Sequence, residues 1–383
     1  MASDTLLLGT RKGLIIVQRD KKGHWSLLRQ AHAGAPVSYA MVDSRNGALW
    51  ACLDHGHWGQ KLQRSTDMGE TWKETERPKY PDGEMQGAPI HELFGADFQL
   101  SEAGKAKRAP AVLSYMWCMA EGGKDKPKRL YIGTEPGGLF VSNDGGESWE
   151  LVRGLWDHPS RLTDWTGGGR DFPAIHSIIV DPRDSKHVFV AISSAGVFET
   201  TDDGKTWTPR NKGMASIGTP DEQQPVAGHD PHCVVASPSN PDTLWQQNHG
   251  GIFRSTDGAK TWTRVSQEKG PARFGFPITA DEKNPDVAWV VPAEADMNRA
   301  AIKGALLVCR TDDGGKTWKE LRKGLPQQQC YDIVFRHALD ISGDRLAFAS
   351  TTGNLYISED RGESWQCAGN NFPPVYSVRF AKT

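Results

Sequence analysis

The sequence predicts an all-β fold, a single seven-bladed β-propeller built from four-stranded antiparallel blades. Three observations predict it. A tryptophan motif recurs at roughly 50-residue intervals. Short apolar runs and turns alternate between the motifs, and the two chain ends supply complementary parts of one blade. The 383 residues include 41 glycines, 23 prolines and 14 tryptophans, a composition typical of many short strands joined by turns.

The repeated motif is Ser/Thr-x-Asp-x-Gly-x-Ser/Thr-Trp. Successive motif tryptophans are separated by 47, 77, 58, 55, 56 and 47 residues. We expect the motif to stabilise a hairpin, because its Asp can accept turn N–H groups, its Gly tolerates positive φ and its Trp can pack between sheets. Five copies are complete: 65–72, 142–149, 200–207, 311–318 and 358–365. A sixth copy, 255–262, has Ala259 in place of the glycine, and 19–25 is a degenerate seventh copy.

One repeat unit, residues 174–210, shows the predicted blade most clearly. Apolar runs separated by turns predict strands at 174–180, 187–192, 197–200 and 207–209. The same layout recurs at 231–264 and 276–320. Each unit therefore predicts one four-stranded antiparallel blade.

The chain ends predict how the propeller closes. Residues 5–28 supply three strands of a blade, and 374–380 supply a fourth. Their pairing completes the seventh blade and leaves no open sheet edge. We therefore predict one domain over 1–383, with residues 77–112 as a loop inserted on the top face.

The charge balance argues against two classes of partner. The chain has 45 basic and 47 acidic residues and a formal net charge of −2, so neither nucleic acid nor a membrane is expected as a partner. The first residues lack a signal-peptide pattern, and the six cysteines are scattered without C-x-x-C spacing. These features predict a cytoplasmic protein with reduced thiols. They carry no signal for an oligomeric state.

The candidate site is the mouth of the central channel, where propellers usually bind ligands. Inner strands begin there, and turns between second and third strands end there. The catalytic candidates so placed are His176, His232, His249, Glu135, Glu294 and Tyr331. The substrate-binding candidates are Arg11, His55, His57, His91, Trp117, Asn248 and Tyr376.

The histidines suggest a metal site as one hypothesis. His176, His232 and His249 could bind a divalent ion, with zinc, manganese and copper not distinguished, and Glu135 or Asp230 nearby. Three imidazoles leave a position for a water, whose pKa falls to about 7 on zinc. The alternative is a polar mouth in which neutral histidines bond to water and backbone.

Carboxylate chemistry is a separate hypothesis for the same mouth. Glycoside hydrolysis needs two carboxyl groups across the scissile bond. The carboxylates available there are Asp54, Glu135, Asp171, Glu294 and Asp296.

The motif copies resemble those of the BNR/Asp-box repeat propellers, over essentially the whole chain. Further stretches resemble single-propeller bacterial proteins described as sialidase-like or glycosyl-hydrolase-like. True sialidases have six blades and an Arg-Ile-Pro motif, which this sequence lacks. The xyloglucanases that the chain resembles use a cleft between two propellers, whereas this chain supplies one. The stretches that resemble the sialidase-like single-propeller proteins are 8–14, 131–136, 175–178, 245–251 and 274–278.

The resemblance and the titratable mouth together predict a hydrolase-like enzyme acting on a small, polar substrate, with a sugar as one candidate and metal assistance as one hypothesis. Exo-sialidase activity is not expected. Two alternatives stay open: a non-catalytic propeller that binds a ligand or protein, as related photosystem II assembly factors and sortilin-like receptors do, and a metal-dependent lyase or non-glycosidic hydrolase.

Overall fold

The computed structural model describes residues 2–89, 107–168, 170–214 and 226–382. These residues contain seven four-stranded antiparallel sheets and one two-stranded sheet. The chain is a seven-bladed β-propeller, as the repeat predicted. Among the described residues, no helix is both long and apolar enough to cross a membrane.

The chain divides into two compact units. The unit of residues 1–55, 62–74 and 232–383 carries five blades. The first blade consists of β1 (Thr5–Thr10), β2 (Gly13–Arg19), β3 (Trp25–Ala31) and the last strand β30 (Val375–Phe380). The second consists of β4 (Val37–Val42), β5 (Leu49–Asp54), β6 (Gln60–Ser65) and β7 (Lys73–Thr75).

The other three blades of this unit follow one another along the chain. The first has β18 (Pro231–Ser237), β19 (Asn240–Asn248), β20 (Gly251–Ser255) and β21 (Thr263–Arg264). The next has β22 (Gly275–Ala280), β23 (Ala288–Pro292), β24 (Val308–Thr311) and β25 (Lys319–Leu321). The last has β26 (Leu339–Ser342), β27 (Arg345–Ala349), β28 (Leu355–Ser358) and β29 (Gln366–Gly369).

The unit of residues 56–61 and 75–231 carries two blades and a hairpin. The hairpin pairs β8 (Met85–Gly87) with β9 (Arg108–Pro110). One blade has β10 (Tyr115–Glu121), β11 (Leu130–Glu135), β12 (Leu139–Ser142) and β13 (Glu150–Leu151). The other has β14 (Ile175–Val180), β15 (Val188–Ile192), β16 (Gly196–Thr200) and β17 (Thr208–Pro209).

Within the described ranges, helical structure is limited to short segments between strands. One α-helical turn spans Arg153–Trp156, and 3₁₀ turns span Gly56–Trp58, Pro159–Leu162 and Ile302–Gly304. The apolar cores therefore come from the strands. Alternate strand residues such as Leu6 and Leu8 on β1 pack with Trp289, Phe348 and Val378 in one continuous cluster.

The first blade closes as the sequence predicted. Strand β30 pairs antiparallel with β1, and Leu8 lies opposite Val378. Both side chains are fully buried. The pairing supplies the inner strand that residues 5–28 lack.

The repeated motif forms the same hydrogen-bonded turn in each complete copy. In the first, Ser65 donates to Asp67 and accepts the N–H of Gly69, while Asp67 accepts the Thr71 N–H at 2.9 Å and its hydroxyl at 2.6 Å. These bonds, the Thr71 hydroxyl first, hold the pKa of Asp67 well below its usual range. Ala259 occupies the glycine position of its copy at φ +60°, a conformation that disfavours a Cβ.

A histidine bridged between two carboxylates links β15 to its neighbours. His187 Nδ1 lies 2.9 Å from Asp181 and its Nε2 lies 2.8 Å from Glu199, and arginines 183 and 210 pair with the same two carboxylates. Because both partners of the imidazole are acceptors, they favour the doubly protonated ring. The hydrogen bond to Glu199 is the main cause of the raised pKa of His187.

We predict that Leu8→Ala lowers the free energy of unfolding by about 2–5 kcal/mol, because it opens a cavity where β1 meets β30. Leu27→Ala in the same blade is the matched control, since Leu27 is 59% exposed. Its expected effect is within about 0.5 kcal/mol. Urea denaturation followed by tryptophan fluorescence measures both, and equal losses would contradict the assigned closure.

We predict that His187→Gln destabilises the protein more at pH 6 than at pH 9. A raised folded pKa means that the contribution of His187 is present below its unfolded pKa of about 6.5 and is lost as pH rises through the folded value. The pKa of Glu199 is lowered, with its bonds to His187 and Arg210 outweighing burial, so its contribution is lost in acid. Urea titrations at both pH values, with His24→Gln at an exposed imidazole as control, measure the difference.

Candidate functional site

Most predicted site residues lie at the strand ends expected for them. Four candidates lie in the innermost strands of their blades. They are Trp117 in β10, His176 in β14, His232 in β18 and Tyr376 in β30, the strand that closes the first blade. The other candidates lie in or next to the turns between the second and third strands of their blades. They are Arg11, His55, His57, His249 and Glu294, with Asn248 at the end of β19 and Glu135 at the end of β11.

Tyr331 is an exception, because it does not begin a strand. It is 73% exposed, and the first strand of its blade begins at Leu339. The neighbouring Asp332 is buried and accepts hydrogen bonds from the β27–β28 turn, including the Asn354 amide at 2.8 Å. These bonds hold the segment against the turn, so the prediction that Tyr331 starts the inner strand was wrong.

The inserted segment is described in part. His91 lies outside the described residues. The preceding Tyr80 is buried against Phe140 and Trp156, and its hydroxyl bonds to Thr134 at 2.8 Å. Residues of the insertion and of 156–166 line an open cleft of about 530 Å³. Its lining includes Gln86, Arg108, Pro136, Gly137, Trp156, Arg161 and Trp165.

Several predicted site residues take part in local contacts of their own segments. The Asn248 side chain is buried and accepts the Gly250 N–H at 2.8 Å, which shapes its turn. Glu294 is exposed and accepts the Lys303 N–H at 2.8 Å. The His57 ring lies edge-on to Trp58, and the Tyr376 ring stacks on Phe335. These contacts do not test their predicted roles.

Two of the predicted metal ligands come together, and the third does not join them. The rings of His232 and His249 lie 5.7 Å apart. Within the described part of the chain, the one group of three potential metal donors consists of Asp230, His232 and His249, with donor atoms within 4.8 Å of one another. His176 is buried, with Nδ1 3.1 Å from the Ser177 hydroxyl. Asp230, rather than His176, therefore lies with the two histidines.

Glu135 is the centre of another cluster of side chains. Glu135 is 1% exposed and lies at the end of β11. Arg170 contacts one carboxylate oxygen at 2.9 Å, the Trp117 indole N–H donates to the same oxygen at 3.3 Å, and the Phe172 N–H donates to the other at 3.2 Å. Burial nevertheless outweighs these partners and raises the pKa of Glu135.

Two side chains of this cluster were absent from the predicted site. Arg170 extends over the Tyr115 ring at 4.4 Å, and the Tyr115 and Trp117 rings lie edge to face at 5.0 Å. The arginine guanidinium is thus held between an aromatic ring and the carboxylate. Tyr115 could have been found from its spacing two residues before Trp117, because alternate residues of a strand share a face. Arg170 lies in a long connection, and no pattern in the sequence assigns it a partner.

The fold places the chain in the class of β-propellers. Comparison with known proteins shows which propellers it is similar to. No family model matches the chain. It is 27% identical over 270 residues to an oligoxyloglucan-reducing end-specific xyloglucanase of Emericella nidulans, covering 63% of this chain and 31% of that protein. It is 25% identical over 272 residues to a sialidase of Bacteroides fragilis, covering 60% of this chain and 47% of the sialidase.

The chain thus spans under a third of that xyloglucanase and under half of that sialidase. Among solved structures, an ancestral GH74 enzyme matches with a TM-score of 0.55 at 18% identity, covering 86% of this chain and 38% of that one. A YCF48 protein bound to D1 peptide matches with a TM-score of 0.50 at 15% identity, covering 87% and 81%. The structural matches show the fold, and the sequence relatives support a glycosyl-hydrolase-like propeller.

We predict that Arg170→Gln raises the pKa of Glu135 further. Arg170 is the largest influence that opposes burial, so its loss leaves the desolvated carboxylate with less compensation. Arg170→Lys keeps the charge, so the pKa of Glu135 in that variant should lie between its values in the wild type and in Arg170→Gln. Carbon-13 NMR titration of labelled glutamate carboxyls, with Glu135→Gln to assign the signal, measures the shift. An unchanged pKa in Arg170→Gln would contradict the ion pair.

Proposed function

We propose that this protein is a glycosidase-like propeller enzyme that acts on a small, polar, sugar-like substrate, with Glu135 as its proton donor. The observation that carries the proposal is the buried Glu135 carboxyl, whose pKa is raised by burial although Arg170 lies beside it. The sequence relatives, xyloglucanases and a sialidase, support the reaction class.

The chemistry of Glu135 suits a general acid. A glycosidic oxygen is a poor leaving group unless it is protonated as the bond breaks. A carboxyl with a raised pKa keeps its proton to higher pH and can deliver it in the transition state. Arg170 and the Trp117 N–H then stabilise the carboxylate that remains, which makes the proton transfer less costly.

The surroundings of Glu135 also suit a sugar. Tyr115 and Trp117 supply aromatic rings beside the carboxyl, and Arg170 supplies an exposed hydrogen-bond donor. Pro136 and Gly137, which follow Glu135 directly, line the open cleft of about 530 Å³.

A non-catalytic binding propeller is the second candidate. The observation that favours it is the fold shared with a YCF48 protein bound to a peptide. In that case the same aromatic and basic surroundings would hold a ligand without turning it over. Binding by calorimetry with no product formed, in the same reaction mixtures, distinguishes this candidate from the enzyme.

We predict that Glu135→Gln lowers kcat at least about 100-fold on unactivated glycosides, because it removes the general acid. The screen offers xyloglucan oligosaccharides, sialosides and aryl glycosides, with products identified by mass spectrometry. Dinitrophenyl glycosides, whose leaving group needs no proton, should show a much smaller loss. Wild-type activity should fall as pH rises through the raised pKa of Glu135.

The matched control is Glu150→Gln, the same change at an exposed strand position. It should leave kcat unchanged. Full activity of Glu135→Gln on unactivated substrates would rule out the assigned role.

A further inference from the structure

We propose that Asp230, His232 and His249 bind one divalent transition-metal ion, as two imidazoles and one carboxylate. The proposal does not depend on the role given to Glu135. The donor atoms of the three residues lie within 4.8 Å of one another. Ligands at about 2.0–2.2 Å from zinc lie roughly 3–4 Å apart, so small side-chain rotations complete the set.

The chain brings these residues together by strand pairing. Asp230 and His232 are separated by one residue at the start of β18, and His249 follows the end of β19. Since β18 and β19 are hydrogen-bonded neighbours in one antiparallel sheet, the start of one meets the end of the other. Three donors from one strand pair give a compact site.

The contacts of His232 prepare it as a ligand. Its Nδ1 lies 2.7 Å from the carbonyl oxygen of Gly275. A carbonyl can only accept, so the neutral ring carries its proton on Nδ1 and has its lone pair on Nε2. Metal-binding histidines usually donate their second nitrogen to a carbonyl or carboxylate in this way, which fixes the ring and its tautomer.

Aromatic rings fix both imidazoles further. Phe276 stacks on His232 at 4.8 Å, and Phe274 meets His232 at 5.6 Å and His249 at 5.8 Å edge-on. Asp230 is oriented separately, since it accepts the Ser194 N–H at 3.1 Å. An apolar surround strengthens the attraction between a cation and the Asp230 carboxylate, because the local dielectric is low.

The donor set indicates which kind of ion binds. Imidazole nitrogens suit zinc, iron, copper and nickel, whereas magnesium and calcium prefer oxygen ligands. Three protein ligands leave coordination positions for water or another molecule, as in catalytic zinc sites. His232 is buried, while Asp230 and His249 are half-buried, so part of the site is accessible to solvent.

The test measures metal binding without any substrate. Protein purified without a polyhistidine tag is stripped with EDTA and titrated with zinc by calorimetry. We expect one zinc per wild-type chain with saturation at micromolar concentration, and a loss of affinity of at least 10–100-fold in His249→Ala and Asp230→Asn. The exposed His24→Ala variant is the matched control and should bind as wild type does.

Cobalt provides a second measurement. Cobalt(II) held by the two imidazoles and the carboxylate should give visible absorption bands that disappear in His232→Ala, while urea denaturation reports whether each variant folds. Absence of saturable zinc binding by the folded wild type would overturn the proposal. Wild-type affinity and an unchanged cobalt spectrum in folded His249→Ala would also overturn it. Neither outcome affects the test of Glu135, which measures turnover.

Discussion

The fold depends on the pairing of the last strand with the first. Strand β30 supplies the inner strand that residues 5–28 cannot supply, and Leu8 and Val378 bury the contact completely. A propeller needs this closure because each open sheet edge exposes unpaired N–H and C=O groups. The serine, aspartate and glycine of the repeated motif bond within one turn and stabilise its hairpin. The motif tryptophan also contacts the preceding repeat, since the Trp318 indole N–H donates to the Val265 carbonyl at 2.8 Å.

Burial is the main electrostatic influence on the candidate active carboxyl. Glu135 has a cation and two N–H donors beside it, yet its pKa is raised, because removing a carboxylate from water costs more than these partners return. At Glu199, which lies between His187 and Arg210, the same kinds of partner outweigh burial, and the pKa is lowered. The two glutamates show that the balance between desolvation and hydrogen bonds, rather than residue type, sets their chemistry.

The two clusters have different physical characters and would serve different purposes. Around Glu135, an arginine and aromatic rings surround a carboxyl that can hold a proton. Around His232, a carbonyl contact and aromatic rings orient two imidazoles next to Asp230. Proton donation needs a group that changes charge near working pH, whereas metal binding needs lone pairs held in place. The sequence had placed these residues in one channel mouth, whereas the structure gives Glu135 and the two histidines their own sets of contacts.

The sequence by itself determined the number of blades, their four-stranded pattern and the closure at the chain ends, because strand alternation and the turn motif are local signals that recur. It also placed His232, His249 and Glu135 at strand ends. Only the tertiary structure decided that Asp230, rather than His176, joins the two histidines, that Arg170 pairs with Glu135, and that Tyr331 lies outside its sheet. These outcomes depend on connections without periodicity, where a side chain finds its partner through packing and hydrogen bonds that no residue spacing encodes.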